Sequence, residues 1–364
     1  MCVLDSRQRN VNEVTQEFTD LKQKTLILSK SFSRLGFDKK SERCHHCGSF
    51  LEFRKSIVDM NNEEEDYKLC EANFCRERLC PMCAKRRSLK MFGQVSQIVE
   101  HIDIDKYDFI FLTLTVPNVS GDVLLQKISQ MQKAFNKLIH YKRFRDAVAG
   151  YFRSLEITYN HRKNSKSYNT YHPHYHIILV VRKDYFTSSA YITRDEYLSM
   201  WQLAMNDYTI SQVDVRKVVP KKDKKQRGVI SVAGAVAEVA KYTLKPSDYL
   251  FAKNSALTDK VVSVLSSALR GRRLVAFGGI FADIRDLLGL DDVENGDLVH
   301  TDNQDTVSNG GYFLVRRWFW ASSLHCYRLE EIVETVEEVQ ERQQKRLESL
   351  RRYYIECRKR RGAA

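Results

Sequence analysis

Two histidines and a glutamate occupy positions from which their side chains could meet on one face of a β-sheet. In the segment TYHPHYHIILVVR, residues 170–182, the apolar set that begins at Tyr175 leaves His174 and His176 together on the opposite face of a strand. Glu156 occupies that same face in the strand before it, which would be an antiparallel neighbour. Two imidazoles and one carboxylate on an open sheet face could hold a divalent metal ion with positions left for substrate. The alternative is a polar surface pair of histidines.

A second group of side chains that could do chemistry lies in the segment AEVAKYTLKPSDYL. Glu238, Tyr242 and Lys245 are spaced i, i+4 and i+7, which places them on one face of a helix. A tyrosine can attack a phosphodiester when a metal polarises the phosphate and a cation, Lys245 or Lys241, favours the phenolate. Glu238 could act as a general base for water at the same phosphate. The alternative is a solvated helix face whose tyrosine ring packs on the sheet.

Six of the nine cysteines lie between Cys44 and Cys83, which in a reducing compartment indicates metal binding rather than disulfides. The pairs Cys44/Cys47 and Cys80/Cys83 each form the C-x-x-C unit that a tetrahedral Zn²⁺ site takes from a turn. A zinc ion held by four cysteines is structural, because no position remains for water. Free thiols are the alternative. Cys75 is the alternative to one of these four cysteines. Cys70, His45 and His46 are further candidate ligands.

The chain is basic along its whole length, with a formal net charge of +13 and a pI near 9.2. Such a surface attracts polyanions, so nucleic acid is the leading partner, and a basic protein without that function is the alternative. With 364 residues and 43% hydrophobic composition, the chain can fold into two or three domains. It has no apolar signal segment and no run long enough to cross a bilayer, so a cytoplasmic location without membrane contact is expected.

The elements expected to position these side chains follow the order β-α-β-β-α-β, with one more helix after it. This order predicts an α+β fold with a ferredoxin-like or RNA-recognition-like antiparallel sheet, a split β-α-β, in which helices cover one face and leave the other open. His172, just before Pro173, is expected to lie outside the histidine strand. The predicted strands are residues 106–116, 150–160, the histidine strand and 212–218. The predicted helices are residues 122–144, 193–207 and about Ile230 to Lys245.

Two charged segments and the predicted division of the chain complete the sequence pattern. The last helix, from Glu330 to Arg361, is highly charged and could grip duplex DNA or pair with another helix in an oligomer. The basic loop PKKDKKQRG is expected to be solvated rather than to clamp DNA. The predicted divisions are residues 1–40, with no assigned role, 41–90, the Cys-rich zinc-binding segment, 91–250, the domain of the histidine strand, and 251–364, a C-terminal α/β extension.

Three motifs, in this order, resemble those of rolling-circle replication initiators from small bacterial plasmids. They are FLTLTVPN at 111–118, HPHYHIILVV at 172–181 and EVAKYTLKPSDYL at 238–250. Such initiators are HUH endonucleases, named for two histidines around a hydrophobic residue, and here the triplet is His174-Tyr175-His176. A tyrosine in the middle, where phenylalanine is commoner, keeps its ring on the apolar face. The resemblance covers roughly Arg43 to Leu250, including the cysteine-rich FCRERLCPMCAKRRS.

The resemblance implies a metal-dependent, site-specific DNA endonuclease and strand transferase. His174 and His176 would hold Mg²⁺ or Mn²⁺, with Glu156 inferred as third ligand, and Tyr242 would attack one phosphate at the plasmid's double-strand origin. The products would be a 5′-phosphotyrosine and a free 3′-OH, which host polymerase extends while a host helicase unwinds the duplex. Because the motif offers one tyrosine, Glu238 would activate water for the terminating cleavage. The scissile strand must be single-stranded or extruded to reach the sheet face.

Other functions use the same residues. A relaxase or a single-strand transposase with an HUH site would perform the same bond chemistry on another DNA target. A zinc-containing DNA-binding regulator would bind DNA and form no covalent adduct. A metal oxygenase with His174, His176 and Glu156 as ligands would consume oxygen with iron, and the basic surface suits it poorly.

Overall fold

The computed structural model of the chain describes residues 9–56, 67–218, 221–222, 230–231, 244–300 and 312–362. The fold is mixed α+β with antiparallel sheets. The chain divides into two units, of which the first is built from Met1–Thr19, Gly48–Asn73 and Asn303–Ala364 and the second from Asp20–Cys47 and Phe74–Asp302. Across the described residues, no helix combines the length and apolar character needed to cross a membrane.

Helices and strands alternate along most of the described chain. The helices are α1 (Arg9–Arg34), α2 (Asp38–His46), α3 (Pro81–Glu100), α4 (Leu124–Leu138), α5 (Lys142–Ala147), α6 (Arg194–Met205), α7 (Ser255–Ala268), α8 (Ile280–Leu287) and α9 (Val336–Gly362), with short 3-10 helices at Tyr185–Thr187 and Pro246–Asp248. The strands are β1 (Phe50–Ser56), β2 (Lys68–Ala72), β3 (Tyr107–Thr115), β4 (Val148–Asn160), β5 (Thr170–Arg182), β6 (Val213–Lys217), β7 (Lys221–Lys222), β8 (Ile230–Ser231), β9 (Val275–Gly279), β10 (Tyr312–Ala321) and β11 (Cys326–Thr335).

The second unit is organised around a five-stranded sheet in the order β6-β3-β5-β4-β9, with every neighbouring pair antiparallel. The four strands predicted from the sequence are all present, and numbered along the chain they lie side by side in the order 4-1-3-2. The fifth strand, β9, was not predicted, because its sequence VAFGG contains two glycines, which are poor strand formers. Pairing with β4 therefore decides its conformation.

One face of this sheet is covered by α4 and α6, as the sequence predicts. The strand residues that face these helices are apolar and buried, among them Leu112, Leu155 and Ile177. Fully burying a side chain of this size contributes about 1.5–3 kcal/mol. Trp201 of α6 anchors the layer, since its indole N–H donates to the backbone carbonyl of Thr115 at 2.8 Å. This packing holds β3 in place beside β5.

The opposite face is covered over part of its length, so the prediction of an open face is wrong there. Phe109, Phe152 and Ile178, from three neighbouring strands, pack in one buried cluster with Val95 of α3 and Phe281 of α8. The histidine end of the same face lies outside this cluster. The sequence pattern missed the cover because α3 precedes the first strand of the predicted order and α8 follows its last helix.

The first unit is built on a four-stranded sheet in the order β11-β10-β1-β2, which pairs strands distant in the chain. Glu52 of β1 is completely buried, and its carboxylate forms ion pairs with Arg54, Arg317 and Arg342. Burial acts to raise the pKa of Glu52, and the arginines hold it below its ordinary value. An unpaired buried carboxylate would cost several kcal/mol, so this network ties β1 to β10 and α9. The predicted extension 251–364 is thus shared between the two units.

The N-terminal segment, to which no role was assigned from the sequence, contains the long helix α1. The signal for it was the helical spacing of apolar residues within a mostly polar sequence. The buried apolar side chains of α1 include Phe18, Leu21, Leu28 and Phe32.

Three further expectations differ from the structure. The last helix begins at Val336 rather than Glu330, because the residues before it pair with β10. A helix is predicted from about Ile230, but Ile230–Ser231 form strand β8, which pairs with β7. Residues 232–243, most of the rest of that predicted helix, lie outside the described part. His172 lies within β5 and not outside the strand.

Candidate functional site

Glu156, His174 and His176 meet at the end of the sheet face that lies outside the buried cluster. Glu156 lies directly opposite His174 in the register of β4 and β5. The Nε2 atoms of His176 and His174 are 2.8 Å and 3.4 Å from the same atom, Oε2 of Glu156. One potential ligand atom from each of the three residues lies within 4.8 Å of the others. The group could therefore hold a metal ion.

Both imidazole rings are oriented through their Nδ1 atoms. Nδ1 of His174 lies 3.1 Å from the backbone carbonyl of His172, and Nδ1 of His176 lies 3.4 Å from the Thr113 hydroxyl. The ring of Phe111 stacks on His176 with a centroid distance of 5.6 Å. Metal-binding histidines are commonly held in this way, because a hydrogen bond at one ring nitrogen leaves the other as the ligand.

The three side chains differ in exposure. Glu156 and His174 are each 8% exposed, whereas His176 is half-buried. Burial acts to raise the pKa of Glu156, but hydrogen bonds from both histidines and the charge of Lys245 hold it well below its ordinary value. The carboxylate is therefore ionised at neutral pH, and the exposed edge of His176 is a side from which a substrate could approach.

Among the predicted catalytic residues, Lys245 belongs to the described chain and lies at this site. Its Nζ atom is 3.2 Å from Oε1 of Glu156, and its side chain is largely exposed. Tyr242, Glu238 and Lys241 lie outside the described residues. The segment that follows the predicted nucleophile thus reaches the possible metal ligands.

Asp248 is an acidic residue near this site that the sequence reasoning did not single out. It ends the 3-10 helix Pro246–Asp248, three residues after Lys245. Burial raises the pKa of its carboxyl, and the charges of Lys245 and Glu156 also act on it. Its position three residues after the predicted catalytic lysine is the sequence feature that could have identified it.

Tyr249 joins the same segment to the Cys-rich loop. Its side chain is completely buried, and its hydroxyl donates to the backbone carbonyl of Leu79 at 2.6 Å. Leu79 directly precedes Cys80. A buried hydrogen bond therefore attaches the segment that carries Lys245 to the backbone next to the cysteine cluster, a link that no local sequence pattern indicates.

The cysteine cluster forms where the start of α3 meets the two preceding Cys-rich turns. Cys47, Cys75, Cys80 and Cys83 each place a sulfur within 4.8 Å of the others and could hold a metal ion. Representative sulfur–sulfur distances are 3.5 Å for Cys80 and Cys47 and 3.7 Å for Cys75 and Cys83. Cys44 lies beside this group, with its sulfur 3.9 Å from that of Cys75. Cys75, named as the alternative ligand, thus joins three of the four cysteines expected from the sequence.

Backbone N–H groups surround the sulfurs of this cluster. The amide of Cys75 donates to the sulfur of Cys47 at 3.3 Å, and the amide of Arg76 donates to that of Cys83 at 3.2 Å. Hydrogen bonds of this kind favour thiolates, which are the ligands that Zn²⁺ takes from cysteine. The tight turn that provides them places Arg76 at a φ of 60°, in the left-handed region.

A buried cation lies beside the cysteines. Lys22 of α1 is completely buried and donates to the backbone carbonyls of His45 and Cys47 at 2.7 Å and 2.8 Å. Burial lowers the pKa of Lys22, and the neighbouring cysteines act in the opposite direction. A protonated Lys22 would offset part of the negative charge of a thiolate cluster.

Comparison with known proteins relates the chain to one family. The matching family model is described as a replication protein and spans residues 66–326. The chain is 40% identical to a Protein rep of Bacillus amyloliquefaciens over 305 residues, which is 80% of this chain and 86% of that protein. It is 36% identical to a Protein rep of Streptococcus pneumoniae over 79% of this chain and 84% of that protein. It is 34% identical to a Protein rep of Staphylococcus aureus, over 66% of this chain and 98% of that protein. No solved structure matches the chain significantly.

Proposed function

Because the chain belongs to the replication protein family and is a plasmid rolling-circle replication initiator, we propose that it nicks one strand at the double-strand origin by tyrosine transesterification. Its DNA partner is the origin of a plasmid. The nick leaves a 5′-phosphotyrosine on the protein and a free 3′-OH on the DNA. A second cleavage at the regenerated origin ends the round of replication.

The meeting of Glu156, His174 and His176 carries this proposal. The carboxylate of Glu156 suits Mn²⁺ or Mg²⁺, and such an ion, held together with the two imidazoles, would polarise the scissile phosphate. The two histidines would direct their Nε2 atoms at the ion, and Glu156 would supply the negative charge. The His-Tyr-His triplet and the 4-1-3-2 strand order support assigning the five-stranded sheet as an HUH core with a split β-α-β arrangement.

Tyr242 is the proposed nucleophile. Its phenolic oxygen forms a bond to phosphorus while the bond from phosphorus to the 3′ oxygen breaks, and that oxygen takes a proton to become the 3′-OH. Lys241 and Lys245 favour the phenolate through their charge. The position of Lys245 at 3.2 Å from Glu156 supports this role, because it brings the cation to the possible metal ligands.

Glu238 is the proposed general base for the terminating cleavage. It takes a proton from water, whose oxygen then forms a bond to the phosphorus of the regenerated origin in place of a second tyrosine, while the bond from phosphorus to the 3′ oxygen breaks and that oxygen takes a proton to become a 3′-OH. Between the two cleavages, host DNA polymerase extends the 3′-OH and a host helicase unwinds the duplex ahead of it. These two partners are proposed from the resemblance to rolling-circle initiators.

The cysteine cluster is proposed to hold a structural Zn²⁺. Thiolates are the preferred zinc ligands, and four of them close a tetrahedral site to water. The compact group of Cys47, Cys75, Cys80 and Cys83 is the first choice of ligands, and the set with Cys44 in place of Cys75 is the alternative.

The first test of the proposed function is a search for the covalent intermediate. The protein is incubated with Mn²⁺ and a supercoiled plasmid that carries its origin, then digested with protease, and DNA-linked peptides are identified by mass spectrometry. We expect a peptide joined to DNA through Tyr242, absent from Tyr242→Phe. Tyr208→Phe is the matched control, since Tyr208 is 69% exposed, and it should leave the adduct unchanged.

Two results would contradict the mechanism. Nicking without an adduct would make activated water the nucleophile. Origin binding with neither nick nor adduct would favour a DNA-binding protein that does not catalyse cleavage.

A further inference from the structure

The turn between β4 and β5 presents an exposed basic surface at the same end of the sheet as the possible metal ligands Glu156, His174 and His176. It consists of residues 161–169, HRKNSKSYN, and is called here the basic hairpin. Arg162, Lys163 and Lys166 are exposed, and the hairpin contains no aspartate or glutamate. Within the described part of the chain, none of these three cations has an ion-pair partner.

Exposed cations at the opposite end of the same sheet are arranged differently. Lys183 and Lys217 both pair with Asp108, at 3.4 Å and 2.8 Å. Lys106 pairs with Asp103 at 2.9 Å. The basic hairpin thus keeps its positive charge available at the end of the sheet that carries the histidines.

The basic hairpin is held in one shape by hydrogen bonds from its polar side chains. Asn160 donates to the hydroxyl of Ser165 at 2.8 Å, and the amide of Ser167 donates to the same oxygen at 3.2 Å. The amide oxygen of Asn169 accepts from Tyr159 and from Lys260, both at 2.8 Å. A surface fixed before binding loses less conformational entropy when a ligand is bound.

A ladder of polar pairs leads from the possible metal ligands to the basic hairpin. From the Glu156–His174 pair, the next cross-strand pairs on the same face are Thr158–His172 and Asn160–Thr170. The distance along β4 from Glu156 to Asn160, four residues further on, is about 13 Å at the usual rise of a strand. A strand of DNA whose scissile phosphate lay at the histidines could therefore reach the basic hairpin within a few nucleotides.

We propose that the basic hairpin binds the phosphates of single-stranded DNA next to the scissile phosphate, through Arg162, Lys163 and Lys166. This inference rests on the proposed nicking function, which places the scissile strand at the metal-binding group. Phosphate contacts position a strand without reading its sequence, so the basic hairpin sets the path of the strand and not the choice of origin.

The experiment compares two triple variants in binding to a fluorescent oligothymidine, measured by anisotropy over a series of salt concentrations without divalent metal. The test variant is Arg162→Gln, Lys163→Gln and Lys166→Gln. The matched control is Lys133→Gln, Lys137→Gln and Arg145→Gln, which removes three exposed cations from α4 and the short helix after it. Circular dichroism and the midpoint of thermal unfolding establish that both variants are folded.

We expect weaker binding and a smaller salt dependence for the test variant only. Each phosphate contact to a single strand contributes about 0.7 to the slope of log K against log salt, so three lost contacts reduce the slope by about 2. A slope equal to that of the wild-type protein, or an equal reduction in the control, would overturn the proposal. Because this assay involves no cleavage, its outcome is independent of whether a Tyr242 adduct forms.

A cross-linking experiment tests the position of the strand. A photoreactive p-benzoylphenylalanine replaces Asn164, which is exposed at the tip of the basic hairpin. On an origin oligonucleotide with single-stranded DNA around the nick site, we expect cross-links to nucleotides beside the cut. Cross-links confined to the duplex arms would assign the basic hairpin to another DNA segment and overturn the proposal.

Discussion

Glu156 is the residue on which the candidate site depends most. It is buried, and its carboxylate lies within contact distance of the two histidine rings and the Lys245 ammonium group. Burying a carboxylate costs free energy that these neighbours offset, which is why its pKa lies below the ordinary value despite burial. A divalent ion between the same groups would offset that cost further.

Replacing Glu156 with glutamine tests its role as a ligand. The amide keeps the shape of the side chain and removes its charge. Loss of a residue that only contacts a metal ligand typically lowers metal affinity about 10–100-fold, so loss of the charge on a ligand should lower the affinity for Mn²⁺ by at least that much. Mn²⁺ binding followed by electron paramagnetic resonance and metal-dependent nicking are the two readouts, and origin binding should remain.

The control for this substitution is Asp108→Asn, at the far end of β3. Asp108 is also paired with lysines, so its substitution removes a carboxylate without touching Glu156, His174 or His176. If Glu156→Gln bound Mn²⁺ as well as this control does, Glu156 would not be a ligand.

At the scale of elements, the segment 244–250 depends on contacts at both ends. Lys245 contacts Glu156 at one end, and Tyr249 donates to the carbonyl next to Cys80 at the other. The cysteine cluster therefore supports the segment that immediately follows the proposed nucleophile. A metal bound by the cysteines would stabilise this arrangement without taking part in the chemistry.

Tyr249→Phe should weaken this support while leaving the rest of the fold in place. The substitution removes one buried hydrogen bond and leaves the Leu79 carbonyl without this donor, which costs about 1–3 kcal/mol. We expect slower nicking in single-turnover experiments, with zinc content and origin binding unchanged.

Tyr185→Phe is the matched control, because it removes the hydroxyl of another completely buried tyrosine, one that donates to the carbonyl of Ile192. Equal nicking rates for Tyr249→Phe and the wild-type protein would show that the hydrogen bond does not position the segment. Loss of zinc from Tyr249→Phe would show instead that it supports the cluster.

At the scale of the whole molecule, the two units are each assembled from separated parts of the chain. In the first unit, β1 pairs with β10, as in the register of Phe50 with Phe319, which lie about 270 residues apart in the chain. The buried Glu52 network adds a second tie between the same parts, through Arg317 and Arg342. The four-stranded sheet therefore needs both ends of the chain, whereas the strands of the five-stranded sheet all lie between Tyr107 and Gly279.

Ending the chain at Asp302 should therefore unfold the first unit selectively. Only β1 and β2 would remain of its sheet, and an isolated two-stranded hairpin is at best marginally stable in water. Hydrogen exchange should show lost protection for the amides of β1 and retained protection for those of β5, with the full chain as the reference. Retained protection of β1, or equal loss in both strands, would contradict this division of stability.

Several features were determined by the sequence alone because they depend on local periodicity. Alternation along two strands placed Glu156 opposite the histidines, which the structure confirms, and the order of elements predicted four strands of the second unit's sheet. The two C-x-x-C units located the cysteine cluster. The three ordered motifs indicated the family that the comparisons confirm.

Other features were decided only by the tertiary structure, because they depend on contacts between residues far apart in the chain. Burial of apolar surface brings α3 and α8 onto the sheet face that was expected to be open. Backbone pairing makes β9 a strand, and the same long-range pairing joins β1 to β10. The choice of Cys75 for the compact sulfur group likewise depends on how the turns meet, and spacing along the chain does not encode it.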